Sequence, residues 1–457
     1  MLLAANELMA ARYQMALSLG FHIILACIGV ALPAMIYVLH RRGIRNNDDD
    51  ALALAKKWAK ASAVLFAVGA VSGTILSFEM GLLWPGMMSQ YGDVIGLPFA
   101  MEGIAFFVEA VFLGIYLYGW GRLRPAVHLR TLIPMIAAGA YGTFCILAVN
   151  AWMNAPSGFA LDPAGAVTDV DPLAAMFNTA VVGQTVHMFL AAYAVTGFLV
   201  AAVYAVGMLK GRRDRRHSLG FTVAFAFATV AALAQPIVGH FIGQRLAVEQ
   251  PSKLAAMELA TETETRAPIV IGGVLIDGEV RYGIEIPLLG SLLATNSLNG
   301  EVPGLNQIPE EDRPPANVVH LSFQAMVGAG LAMAGIAAWF WWRRRRTEDP
   351  FASPWFLRAT PVTAGLSVVA LQTGWTATEV GRQPWIVYDV LRTEDAVTGN
   401  PGVWISLAVM IVVYASMAVI AARVLRGMAR RWLESDDVDI STPFGPAASH
   451  AVGAGGG

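Results

Sequence analysis

The sequence predicts an all-α integral membrane protein of about nine transmembrane helices, with its N-terminus outside and its C-terminus cytoplasmic. Three observations lead there. Of 457 residues, 56% are hydrophobic and only 14% charged, and the mean hydropathy of +0.56 is too high for an ordinary soluble chain. Charge-poor windows long enough to cross a bilayer recur along nearly the whole length. Lys and Arg concentrate in every second connection, as cytoplasmic loops require.

The windows lie near 14–40, 61–84, 95–119, 131–153, 178–209, 218–243, 317–342, 359–378 and 401–422. Arg41, Arg42, Arg45, Lys56 and Lys57 follow the first, Arg122, Arg124 and Arg130 the third, and Lys210 to Arg216 the fifth. Arg343 to Arg346 follow the seventh and Arg423 to Arg431 the ninth. These segments are assigned to the cytoplasm. The connections 85–94 and 154–177 contain no Lys or Arg, and 244–316 carries more acids than bases, so they face outward with the N-terminus. The opening MLLAANELMAARYQMALSLG lacks a basic leader and a small-residue cleavage site, so the first span reads as a retained helix.

Residues 1–433 thus form one transmembrane domain, interrupted by an outer loop at about 244–316. The stretch 434–457 turns acidic and then Gly-rich, the composition of a disordered cytoplasmic tail. Cys27 and Cys145, both inside predicted spans, offer neither a disulfide framework nor a thiolate metal site. The near-neutral net charge of −2 tells little about partners, and no nucleic-acid partner is expected.

The informative residues are the ionisable ones that the membrane should exclude: His22, Glu79, Glu102, Glu109, His187, His240, His320, Glu379 and Arg382. Burying a carboxylate costs several kcal/mol unless it is paired, protonated or metal-bound. Glu379 and Arg382 stand in GWTATEVGRQPW, just past about twenty uncharged residues. His22 and His187 lie in the outer halves of helices that enter from outside, while helices two and eight run outward and deliver Glu79 and Glu379 near their ends. A lone intramembrane histidine often does no more than bond a carbonyl; five or six such groups at one depth argue for a site. Glu102 and Glu109, in MEGIAFFVEA, are two helical turns apart on one face, suited to a proton relay or to polar contacts between helices. Met326, in HLSFQAMVGAG, matches His187 in depth, and a His/Met pair suits a low-spin haem; most Met residues in apolar helices merely pack.

The outer loop begins QRLAVEQPSKLAAMELATETE, a short amphipathic helix after Pro251 with Lys253 and Glu258 bracketing an apolar face. Such a cation and acid could hold a quinol headgroup at the membrane surface, or simply be solvated. Further on, IGGVLIDGEVRYGIEIP has the pattern of a small hairpin.

Together these residues resemble subunit I of the cytochrome bd-type quinol oxidases, including the cyanide-insensitive branch, with a quinol loop of the short type. The likeness spans roughly residues 5–430, and GFHIILA, MEGIAFFVEA, VNAWMNAP, GQTVHMF, QPSKLAAMEL, SFQAMVG and GWTATEVGRQPW follow the family's order. The resemblance implies His187 and Met326 as axial ligands of a low-spin haem b. It implies His22 and Glu379 as the single protein ligands of two high-spin haems, a haem b and a haem d or a further haem b. It also implies Glu102 and Glu109 as the acidic pair near those haems, Trp375 as the aromatic between haems, and Arg382 as the partner of a haem propionate. Lys253 and Glu258 correspond to the residues of the quinol loop. Two departures stand out: Gln324 occupies the position where many members have Arg, and the acidic pair is spaced by seven rather than eight.

The implied function is a terminal respiratory quinol:oxygen oxidoreductase of the bacterial-type inner membrane, oxidising quinol outside and reducing oxygen to water with cytoplasmic protons. Its partners would be a second membrane subunit, a small single-helix subunit, quinol, oxygen and lipid. The rivals are a proton-coupled transporter, which would bind no haem, and a dihaem electron-transfer cytochrome, which would leave Glu379 and the acidic pair without a purpose.

Overall fold

The computed structural model describes residues 2–434; the expected tail from 435 onward lies outside them. Among the described residues, eight helices are long and apolar enough to cross a membrane: Glu7–Asn46, Asp49–Leu83, Pro85–Tyr118, Pro125–Asn154, Val181–Leu209, Arg215–Glu249, Glu310–Arg346 and Val403–Trp432. A further helix, Pro354–Val380, has 27 residues, roughly 40 Å at the helical rise. Its lower hydropathy has a local cause. Thr360, Thr363, Thr373, Thr376 and Thr378 lie along it, each returning its hydroxyl to the carbonyl four residues back, which removes the polar cost of a buried hydroxyl.

Most helices overrun the apolar windows that predicted them. Leu2–Asn46 begins well before residue 14 and Arg215–Glu249 continues past 243, because a helix satisfies its own backbone beyond the hydrocarbon as well as within it. Helix Val181–Leu209 packs against Leu2–Asn46, Arg215–Glu249 and Pro354–Val380, while Pro85–Tyr118 packs against Leu132–Asn154.

Two apolar clusters bound the bundle. Near the basic connections, Leu39, Trp58, Tyr116, Phe198, Phe221, Phe225, Phe340 and Phe356 interlock. At the opposite end Trp84, Tyr91, Trp152, Ile386 and Val387 close the structure. An ionic lock fixes the first face: Asp48 accepts from Arg42 at 2.8 Å and from Arg215 at 2.6 Å, and Asp50 binds Arg215 and Arg216 at 2.7 Å each. The hydrogen bond from Arg215 leads the effects that hold the Asp48 carboxyl below the usual range.

The long loop at about 244–316 is folded. Pro251–Glu258 is a short helix, and Ile269–Ile276 pairs with Glu279–Ile286 as an antiparallel hairpin turning at Asp277 and Gly278, whose φ of 52° and 81° suit a tight turn.

Candidate functional site

Helix Pro354–Val380 ends where Gly381 caps it and Pro384, which lacks an amide hydrogen, follows soon after. Glu379 is therefore fixed in the last turn and Arg382 just beyond. Glu379 Oε1 accepts from Asn150 Nδ2 at 2.6 Å, and Oε2 pairs with the Arg382 guanidinium. Arg382 is only 3% exposed, yet its Nε and second terminal nitrogen are buried without partners among the described residues. Unmet donors on a buried cation call for an anion.

Asn150 leads further. Asn154, one turn on, donates to the Asn150 carbonyl at 2.8 Å, and its own Oδ1 accepts from Lys253 Nζ at 2.6 Å. Gln250 Nε2 binds the Asn154 carbonyl at 2.5 Å. The helix Pro251–Glu258 is consequently not a surface amphipathic segment: Ser252 to Met257 are all buried, because the helix end Gly381 leaves room for the Lys253 stem, where a Cβ would stand 2.8 Å from Lys253 Cγ. Burial, reinforced by nearby Arg382 and opposed by Glu379, lowers the Lys253 ammonium to about 7. Glu258 Oε2 is buried with no hydrogen-bond partner among the described residues, and burial raises this carboxyl to about 7.

The histidines are prepared differently. Ser72 donates its hydroxyl to the Gly69 carbonyl at 3.0 Å, so its oxygen accepts from His22 Nδ1 at 2.8 Å. That network puts the hydrogen on Nδ1 and leaves the Nε2 lone pair free, the arrangement of a metal-ligating histidine with an orienting partner. His187 has Nδ1 buried without a hydrogen-bond partner among the described residues, and its carbonyl accepts from Gln235 at 3.1 Å. Met326 rests on the helix of Glu379: a Cβ at Gly374 would lie 2.7 Å from Met326 Sδ. Trp375 joins the cluster of Ile23, Cys27, Ala192, Val195 and Leu371, between the helices of His22 and His187. Its Nε1 is buried and has no hydrogen-bond partner among the described residues.

Glu102 and Glu109 both face helix Leu132–Asn154. A Cβ at Gly139 would lie 3.4 Å from Glu109 Oε1, and one at Gly142 would lie 4.0 Å from Glu102 Cγ. Gln324 is committed elsewhere, donating to the Val270 carbonyl of the hairpin at 3.1 Å.

The donor set fits haem. One histidine has its tautomer fixed, another carries an unmet buried nitrogen, a thioether rests at a glycine, and a buried guanidinium has spare donors for a propionate. Asn150 and Asn154 escaped the scan for ionisable groups because amides carry no charge. The signal was nevertheless in VNAWMNAP: two amides four apart in an apolar helix share a face and need partners.

The arrangement defines a polytopic membrane protein whose buried polar groups gather between its long helices and the loop that begins with helix Pro251–Glu258. Residues 10–432 match the family described as cytochrome bd terminal oxidase subunit I. A Bacillus subtilis (strain 168) protein, named as a candidate cytochrome bd menaquinol oxidase subunit I, is 36% identical over 448 residues, covering 95% of this chain and 99% of that one. Cytochrome bd ubiquinol oxidase subunit 1 of the same organism is 29% identical, covering 98% of this chain and 99% of that one. The structure of bd oxidase from Geobacillus thermodenitrificans superposes with a TM-score of 0.89 at 37% identity, covering 93% of this chain and 98% of that chain. The chain belongs to the cytochrome bd terminal oxidase subunit I family. Membership makes it a multi-pass membrane subunit of a haem-containing oxidase and implies a partner, subunit II.

Proposed function

We propose that this subunit oxidises quinol at the outer face and delivers its electrons to oxygen, which is reduced to water with cytoplasmic protons. The observation that carries the reading is the buried hydrogen-bonded chain Lys253–Asn154–Asn150–Glu379, since it joins the quinol-loop helix to the carboxylate at the end of helix Pro354–Val380. His187 and Met326 would hold a low-spin haem b. His22 and Glu379 would each ligate a high-spin haem, one a haem b and the other a haem d or a further haem b. When bound, the haems supply the electron transfer and the chemistry of oxygen.

The residues of the chain do the rest. Ionised Glu258, whose Oε2 has no hydrogen-bond partner among the described residues, accepts a proton from a quinol hydroxyl and releases it outside. Lys253 donates to Asn154 and sets its ammonium close to Arg382 and Glu379, at the far end of the short helix from Glu258. Arg382 offers its spare N–H groups to a propionate. Trp375, packed between the helices of His22 and His187, would lie between the haems. Glu102 and Glu109, two turns apart, hold and pass protons arriving from the cytoplasmic side. Protons released outside and taken up inside make the reaction electrogenic without a separate pump.

The complex would be a multi-pass assembly of a bacterial inner membrane with subunit II and a small single-helix subunit. A reduced-minus-oxidised spectrum with haem extraction tests the reading. Both a six-coordinate b haem and high-spin haem are expected; a preparation of intact complex without high-spin haem would overturn it.

A further inference from the structure

His320 stands at the start of helix Ala316–Arg346 and is fully buried. Its Nδ1 lies 2.7 Å from the carbonyl of Met257, and its Nε2 lies 2.7 Å from the carbonyl of Gly272. Carbonyl oxygens only accept, so each is a site for a ring N–H, and the ring is wedged between the two acceptors. Each acceptor has a reason to need it. Met257 sits in the last turn of Pro251–Glu258, where carbonyls lose their helical partners, and the helix stops at Leu259 with φ of 52°. Gly272 and Gly273, with φ of 64° and 88°, interrupt the hairpin strand.

Two neighbours on the same helix extend the contact along the strand. Asn317 donates to the Leu275 carbonyl at 2.9 Å and accepts from the Leu275 amide at 2.6 Å. Gln324 takes the Val270 carbonyl. Of the three, only His320 also reaches the short helix, and it does so at the residue next to Glu258. The same helix carries Met326, six residues further on.

We propose that His320 is a positioning residue of the quinol site, its two ring nitrogens seated between the Met257 and Gly272 carbonyls so that the Glu258 end of the short helix and the hairpin are held to the helix of Met326. This rests on the assignment of Glu258 to quinol. Held in this way, Glu258 is aimed before quinol arrives, so binding does not have to order the loop.

The test uses the assembled oxidase with His320→Ala, His320→Gln and Glu258→Gln, reading hydrogen exchange and steady-state kinetics. In His320→Ala, exchange should quicken in peptides spanning 255–260 and 269–276, and quinol KM should rise roughly tenfold, the order of effect of lost buried hydrogen bonds. Turnover with an artificial donor that reduces the haems directly, and the low-spin spectrum, should not change. His320→Gln, with one donor group, should keep one peptide protected and give an intermediate KM; it carries the test if the alanine variant does not assemble. Unchanged exchange, an unchanged quinol KM, or an equal loss with both donors overturns the proposal. If Glu258→Gln leaves both kcat and kcat/KM for quinol unaltered, the Glu258 assignment fails, while the His320 data still decide whether that residue holds the loop.

Discussion

Lys253 and Glu379 are the two ends of one buried hydrogen-bonded chain. The ammonium donates to Asn154 Oδ1 at 2.6 Å, Asn154 donates to the Asn150 carbonyl at 2.8 Å, and Asn150 donates to Glu379 Oε1 at 2.6 Å. Every link is between helices or one turn apart on a helix, so the chain's geometry is set by packing. A change at either end is felt through groups that cannot turn to water.

Asn154→Ala should therefore cost more than Lys253→Met. The first strips a 2% exposed ammonium of its acceptor, a loss of about 1–3 kcal/mol, whereas the second removes the charge and keeps much of the volume. Thermal midpoints of the purified complex give the comparison. A larger loss in Lys253→Met would mean that the ammonium does not depend on Asn154.

Asn150→Ala should weaken one high-spin haem site selectively. The variant frees Glu379 Oε1, leaving Arg382, among the described residues, as the side chain that hydrogen-bonds the carboxylate. Outer-shell partners of metal ligands are worth about 10–100-fold in affinity or activity. Haem extraction should find reduced high-spin haem with the low-spin band intact. Full occupancy would remove Asn150 from the site.

Gly374→Ala tests Met326 as an axial ligand without touching it. Alanine favours a helix over glycine by about 0.5–1 kcal/mol, so the backbone should gain, but the new Cβ would stand 2.7 Å from Met326 Sδ. The expected outcome is a stable complex whose low-spin band is shifted or partly converted to high spin. A stable variant with an unaltered band would argue that Met326 is not bound to iron.

How much of this was legible beforehand follows from what each signal depends on. The long apolar helices were readable because hydropathy is a local property, although helix Pro354–Val380 hides polar groups that bond its own carbonyls. The hairpin was readable from its Asp277–Gly278 turn. The burial of Lys253 was not, because it depends on Gly381 and Asn154, far away in sequence. The partner of His22, Ser72, was equally invisible: a serine in an apolar helix carries no charge to attract notice.

Quinol oxidation should rise with pH through about 7, and Glu258 should be the cause. Burial raises its carboxyl to about 7, so the acid is neutral below that pH and becomes a base only above it. The stability linkage has the opposite sign. A carboxyl whose folded value is raised favours the folded loop fully below its ordinary value, about 4.5, and that contribution is lost as pH rises through about 7. Lys253 also titrates near 7, lowered first by burial and then by Arg382, so the two must be separated. The profile of kcat/KM for quinol should lose its rising limb in Glu258→Gln and keep it, at lower amplitude, in Lys253→Met. A limb that survives Glu258→Gln and vanishes in Lys253→Met would assign the titration to the ammonium and remove Glu258 as the base.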